Sequence, residues 1–284
     1  MPGRPRAGLR RAWRLLVLAC IPLAAAGADM ATNPVSTAPA LGAHVLLAQA
    51  DHRGSSPAVT KPLDTARAGS SLLVLNGGFA SNAAAPTDSY GRHWVQVGPA
   101  AVYDGYQGRF DVKAYVSLAG PGGPRHTVSI DKPGEPDREI TVPFVEIRNA
   151  GVLQDFAQNY PAPNLAQRIA GKLKRTVESV LADPSDSSSM TSGEVTTTGP
   201  ATLIAVWWGD GNVRQMSAVP DNGFTVIDSY LQLPPESGVQ CAVAYRQVDR
   251  AGTYRVSWSG SPRQRAILWL FAFQSATPPP AASG

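Results

Sequence analysis

The run Ser71-Leu72-Leu73-Val74-Leu75-Asn76-Gly77-Gly78 returns in register as Thr202-Leu203-Ile204-Ala205-Val206-Trp207-Trp208-Gly209, and four further segments return in the same order. Pro86-Thr87-Asp88-Ser89-Tyr90-Gly91 matches Val219-Pro220-Asp221-Asn222-Gly223-Phe224, with one residue of slippage in the turn. Val112-Lys113-Ala114-Tyr115 matches Ala242-Val243-Ala244-Tyr245, and His126-Thr127-Val128-Ser129 matches Tyr254-Arg255-Val256-Ser257. Val145-Glu146-Ile147-Arg148-Asn149-Ala150 matches Phe271-Ala272-Phe273-Gln274-Ser275-Ala276. Offsets of about 126 to 133 residues, kept in one order over five segments, mark an internal repeat. The chain is therefore expected to fold as two copies of one module.

Each copy reads as β. Short apolar or alternating runs bounded by Gly, Pro, Asp and Asn predict strands over 58–60, 72–76, 94–97, 110–118, 127–130 and 140–147. The 27 Gly and 25 Pro among 284 residues are too many for a helical bundle, while 43% hydrophobic against 16% charged residues excludes a disordered polyelectrolyte. The 25 basic and 21 acidic residues give a net charge of +4, but five of the arginines lie in a leader whose loss leaves −1. The basic balance is thus no sign of a nucleic-acid partner.

That leader holds Arg4, Arg6, Arg10, Arg11 and Arg14 with no acid, followed by the apolar run Leu15-Leu16-Val17-Leu18-Ala19-Cys20-Ile21-Pro22-Leu23-Ala24-Ala25-Ala26. A basic stretch before a short apolar one predicts a signal peptide over residues 1–28. The run falls short of the roughly 20 residues that a spanning helix needs, and Pro22 interrupts it. Two processing routes fit. Cleavage after Ala26-Gly27-Ala28 releases a soluble chain from Asp29, whereas Val17-Leu18-Ala19-Cys20 resembles a bacterial lipobox that makes Cys20 a lipidated membrane tether. The expected destination is export, to the medium, the periplasm or the cell surface. Beyond the leader Cys241 is the sole thiol, so no internal disulfide forms. In the apolar run Cys241-Ala242-Val243-Ala244-Tyr245 it reads as a small buried hydrophobe.

Residues 29–54, rich in Ala, Pro, Thr and Ser, read as a flexible spacer or a loosely docked arm. The first module is expected at 55–155, a connector at 156–193, the second module at 194–276 and a flexible tail at 277–284. Within the connector, Leu165, Ile169, Leu173, Val177, Val180 and Leu181 recur at helical spacing between the cap Asn164 and the stop Asp183-Pro184. This predicts one amphipathic helix over 164–182, docked on the modules by its apolar stripe.

The segments Thr87-Asp88-Ser89-Tyr90-Gly91-Arg92-His93-Trp94, Asp111-Val112-Lys113-Ala114-Tyr115, residues 123–129 and Phe144-Val145-Glu146-Ile147 together resemble a bacterial extracellular β-sandwich module of Ig-like or jelly-roll-like type. The likeness spans residues 55–155 and 194–276, and the second copy departs from it by carrying Phe224-Thr225-Val226-Ile227 in place of the Trp94 segment. The resemblance implies adhesion, glycan contact or surface display, and transfers no catalytic residue.

The chemistry-bearing residues fit that expectation. Metal sites want convergent His, Cys or carboxylate ligands, and His44, His52, His93 and His126 are scattered, with no His-x-His or Cys-x-x-Cys, so no metal or cofactor is expected. Neither a Gly-x-Ser-x-Gly elbow nor a phosphate-cradling loop is present. Glu146 is the one acid in an apolar strand run, and strand alternation reads it as an outward residue of a sheet with one wet side. Asp88 and Asp221 read as turn residues rather than calcium ligands. Trp207 and Trp208 are consecutive, so alternation points one inward and one outward. Trp207, Trp208, Trp94, Tyr103, Tyr106 and Trp258 are the candidate ligand-stacking rings, with core packing as the alternative use. The sequence therefore predicts a mainly β protein of two tandem antiparallel sandwiches. Its expected role is a non-catalytic binding or adhesion module for a glycan or an extracellular protein; a structural envelope component and a β-sandwich hydrolase or lyase are the alternatives.

Overall fold

In the computed structural model the described residues are 38–79, 85–102, 110–159, 187–209, 215–235 and 237–276. They are mainly β, arranged in several antiparallel sheets, with no helix among the described residues. The expected helix at 164–182 and the leader lie outside these residues.

Strands β1 (Ala40–Gln49), β3 (Ser70–Phe79), β5 (Val95–Val102), β6 (Phe110–Gly120) and β8 (Ile140–Arg148) form a five-stranded sheet in the order β1-β8-β3-β6-β5. The short strands β2 (Ala58–Val59), β4 (Thr87–Asp88) and β7 (Val128–Ile130) form a second sheet, β2-β7-β4. Strands β9 (Val152–Asn159), β12 (Ala201–Gly209), β14 (Thr225–Tyr230), β15 (Gln240–Val248) and β18 (Ala266–Gln274) are ordered β9-β18-β12-β15-β14. Strands β10 (Ser187–Thr191), β13 (Ser217–Pro220) and β17 (Ser257–Gln264) give β10-β17-β13, and β11 (Val195–Thr197) pairs with β16 (Gly252–Tyr254). In each half the opening strand lies at one edge of the large sheet beside the closing one.

The opening strands sit where the sequence pattern showed none. β1 falls in the stretch read as a spacer or docked arm, and β9 and β10 overlap the stretch read as the end of the first module and the connector. β1 pairs with β8 from Ala40 opposite Arg148 to Gln49 opposite Ile140, and β9 pairs with β18, so the halves divide near Gly151. Ala40-Leu41-Gly42-Ala43-His44 has neither alternation nor β-branched residues, and only its partner strand makes it extended.

Ladder register also corrects one repeat match. Val112 stands opposite Gly77 and Cys241 opposite Trp208, so Val112 corresponds to Cys241 and not to Ala242. A one-residue slip turns every side chain to the other face, and only the corrected register keeps apolar faces aligned.

The two large sheets face each other. Leu73, Leu75 and Val145 of one share a single core with Val206, Trp208 and Phe271 of the other. On its far face the first large sheet packs Leu72, Val74 and Phe144 against Val128 and Ile130 of its small sheet. The second packs Leu203, Leu270 and Trp207 against Ala218 and Trp258. Strands β12 and β18 are consequently buried at every residue, which explains why Ile267-Leu268-Trp269-Leu270-Phe271-Ala272-Phe273 is apolar on both faces, as expected of a strand covered on both sides. Each edge strand of the large sheets, β1, β5, β9 and β14, carries a register shift, a device that blunts edge-to-edge pairing.

Candidate functional site

Three places concentrate polar chemistry or accessible apolar surface. The first is built on Asp88, which closes β4. Its Oδ1 accepts from Tyr90 N–H at 2.8 Å and lies 3.2 Å from His126 Nε2, while Oδ2 accepts from Trp94 Nε1–H at 2.8 Å and Arg92 N–H at 3.1 Å. His126 Nδ1 meets Thr65 Oγ1 at 2.9 Å, and the side chains of both His126 and Asp88 are fully buried. Burial acts to raise the Asp88 pKa, but the bonds from His126, Tyr90 and Trp94 outweigh it and hold it below the ordinary value. A Thr-His-Asp chain could relay a proton, yet here it is enclosed, and what it does is brace the turn that leads into β5. That agrees with the reading of Asp88 as a turn residue.

The second is Glu146. Its carboxylate is buried rather than outward, because the large sheet has no wet face at this point. Oε1 accepts from Ala66 N–H at 2.6 Å and Ser70 Oγ–H at 2.7 Å, and Oε2 accepts from Ala43 N–H at 2.9 Å, with Arg148 Nε at 3.4 Å. Burial pushes its pKa up, but the bonds from Ala43, Ala66 and Ser70 and the charge of Arg148 outweigh it and leave it lowered. In the second half the matching residue is Ala272, and the acid has moved to its ladder partner Asp155, whose Oδ2 accepts from Thr196 N–H at 2.7 Å. Both acids therefore tie the opening edge to the segment entering the central strand. Glu146→Gln is expected to lower stability by about 1–3 kcal/mol at pH 7, since an amide cannot accept all of these donors. The folded pKa is depressed, so this contribution is present above the unfolded value of 4.5 and lost as pH falls through the folded one. Urea titrations of the two proteins at pH 7 and in acid should converge at the acid end.

The third lies along the two seams between the halves. On one seam β1 runs beside β14, closed by polar contacts: His44 Nδ1 to Asp228 Oδ2 at 2.8 Å, Asp51 N–H to Ser237 Oγ at 3.0 Å, and Gly238 N–H to Glu139 Oε2 at 2.7 Å. Burial raises the Glu139 pKa to about 7, the Asp51 charge adds to the rise, and hydrogen bonds from Gly238, Val239 and Ser237 oppose it.

The opposite seam, where β9 passes the β5 edge, is open. Gln158 Nε2–H donates to Pro99 O at 3.2 Å, and the Phe156 ring lies over Gly98, where a Cβ would sit 3.0 Å from it and where φ is +68°. Between Phe156 and Leu153 on one side and Val95, Val116 and Leu118 on the other is a cavity of about 640 Å³. Val95, Leu118 and Phe156 are 53%, 44% and 37% exposed. The cavity's end is lined by Gly91, Arg92, Gly120 and Pro121. Burial pulls the Arg92 pKa down while the charges of Asp88 and Glu146 hold it up. The volume falls within the range of small-molecule sites.

The rings singled out from sequence do not join this cavity. Trp94, Trp207, Trp208 and Trp258 are 8%, 3%, 0% and 1% exposed, and offer no open face for stacking on a sugar. Trp207 and Trp208 do alternate, but each points into a core. Tyr103, Tyr106 and Cys20 lie outside the described residues. Cys241 is buried in the central core, where desolvation pushes its thiol pKa well up. Among the described residues no cluster of His, Cys, Asp and Glu has the geometry of a metal site. Leu118 and Phe156 escaped sequence reading because an exposed wall of an apolar face looks like any strand residue. Comparison with protein-family models, curated proteins and solved structures finds no match for this chain.

Proposed function

We propose that this chain is an exported, non-catalytic binding module made of two jelly-roll-like sandwiches packed face to face, and that it takes its ligand in the open seam between them. The jelly-roll reading is supported by the interleaving of strands within each half: counted from one, the first half places 1, 8, 3 and 6 together in its large sheet and 2, 7 and 4 in its small one. The expected connector helix belongs to the same proposal, bridging β9 to β10. Export rests on the leader pattern alone.

The observation that carries the binding reading is the contrast between the seams. The buried acids and the His126 chain are saturated by internal partners, so they hold the fold, whereas the cavity beside Phe156 leaves apolar wall in water. Apolar patches of this kind on an otherwise well-packed surface mark contact sites. The burial of Trp94, Trp207, Trp208 and Trp258 favours an apolar ligand over a stacked glycan. Titration with the neutral dye N-phenyl-1-naphthylamine is the test. Saturable fluorescence from one site, lost in Leu118→Asp with the fold retained by circular dichroism, is the expected result. A flat response in the folded wild-type chain would overturn the reading.

A further inference from the structure

Asn-Gly occurs twice in the chain, as Asn76-Gly77 and as Asn222-Gly223. In such a pair glycine has no side chain to keep its backbone nitrogen away from the asparagine Cγ, and the carboxamide is chemically labile. The fold treats the two pairs in opposite ways. Asn76 is 0% exposed within β3, opposite Lys113 of β6, and Gly77 is paired on both sides, with Val112 and with Thr141. Trp208 closes over it. Asn222 and Gly223 are both exposed, at the tip of the turn that carries the chain from β13 to β14. Their φ values of +54° and +74° are those of a type I′ turn, closed by Phe224 N–H donating to Asp221 O at 3.1 Å. The base of this turn is anchored, since Asp221 N–H donates to Ser257 O at 2.9 Å and Asp221 Oδ1 accepts from Ser257 N–H at 2.6 Å. The tip is not. Among the described residues Gly223 N–H has no hydrogen-bond partner, and the Asn222 carboxamide has one long contact, Nδ2 with Arg255 O at 3.5 Å.

We infer that Asn222 is a site of spontaneous deamidation in the folded chain and that Asn76 is protected from the same reaction. The Gly223 nitrogen attacks Asn222 Cγ: the N–Cγ bond forms, the Cγ–Nδ2 bond breaks, and the proton from Gly223 N–H leaves with the amide nitrogen as ammonia. The succinimide ring then takes up one water and opens at either carbonyl, to aspartate or to isoaspartate. The turn has to open briefly for Cγ to meet the nitrogen, and an exposed tip does so at the low end of local opening free energies. At Asn76 the same approach requires β3 to leave β6 and β8, which is an opening of the core. Isoaspartate routes the backbone through one extra methylene, and a two-residue turn absorbs that only by shifting β13 or β14. Strand β14 carries Asp228, the partner of His44 across the closed seam, so the modification bears on that contact. The inference holds whatever the open seam binds.

The test follows both pairs in the full chain, folded in neutral buffer and denatured in guanidinium chloride at the same pH, by peptide mapping with isoaspartate detection. Denatured, the two pairs should convert at similar rates, since only local sequence then acts. In the folded chain Asn222 should stay within about ten-fold of its denatured rate, whereas Asn76 should be slowed by more than that factor, because its opening approaches the global one. Asn222 slowed more than about ten-fold, or Asn76 slowed less, would overturn the assignment. The comparison needs no variant, so no failure to fold can mimic either result.

Discussion

Trp208→Ala is expected to cost about 3–5 kcal/mol, the range for deleting a large buried ring and leaving a cavity. Trp208 crosses the central core onto Gly77, where a Cβ would fall inside the indole's van der Waals envelope. The two positions are matched in the repeat and meet between the large sheets. Trp208 supplies the knob and Gly77 the hole, since two indoles could not share the space. Gly77→Ala should therefore destabilise by about 1–3 kcal/mol through overpacking, even though alanine is no worse than glycine as a strand residue in isolation. In the double variant the added methyl has room, so the losses should fall short of their sum by about 1 kcal/mol or more. Chemical denaturation of the wild type, both single variants and the double variant measures this. Strict additivity would show that the sheets do not meet at these residues.

The second large effect is a dependence on pH set by Glu139. Its folded pKa of about 7 lies above the ordinary carboxylate value of 4.5. Between those values the folded chain holds a proton that the unfolded chain has released. Its contribution is thus complete below about 4.5 and lost as the pH rises through about 7, in total about 3 kcal/mol at 1.36 kcal/mol per unit. The cause is local. Glu139 is drawn into the closed seam by Gly238 N–H, and there it faces Asp51 and Tyr230, whose own pKa is raised by burial and by Glu139. Arg138 Nη1 is engaged with Asp51 at 3.1 Å, and Lys132 Nζ with Gln49 and the Arg138 carbonyl. Glu139→Gln keeps an acceptor for Gly238 and cannot ionise, so its stability should run flat over pH 5–8 where the wild type declines. Parallel slopes for the two proteins, from denaturation midpoints at each pH, would contradict the account. Glu146 runs the other way, its contribution disappearing in acid, so the two acids bound a window of maximal stability.

The candidate site was only partly legible in the chain. Asp88 could be placed in its turn from Asp88-Ser89-Tyr90-Gly91, because an Asx turn is a local hydrogen-bond arrangement. Glu146 was found as an anomalous acid, but its environment was misjudged: alternation assigns a face, and whether that face is wet depends on residues 43, 66 and 70, remote in sequence. The tryptophans failed as a stacking platform for the same reason. Alternation correctly separated Trp207 from Trp208, and it could not reveal that a second sheet covers each side.

Local patterning carried the β class, the central strands and the order in which the segments repeat, because apolar runs, period-two alternation and turn residues act within a few positions of themselves. Pairing of β1 and β9, the facing of the two large sheets and the difference between a closed polar seam and an open apolar one came only with the tertiary structure. Those features are set by contacts between residues remote in sequence, such as His44 with Asp228 and Gly98 with Phe156 across the seams, and a one-residue change in register or one uncovered corner decides them.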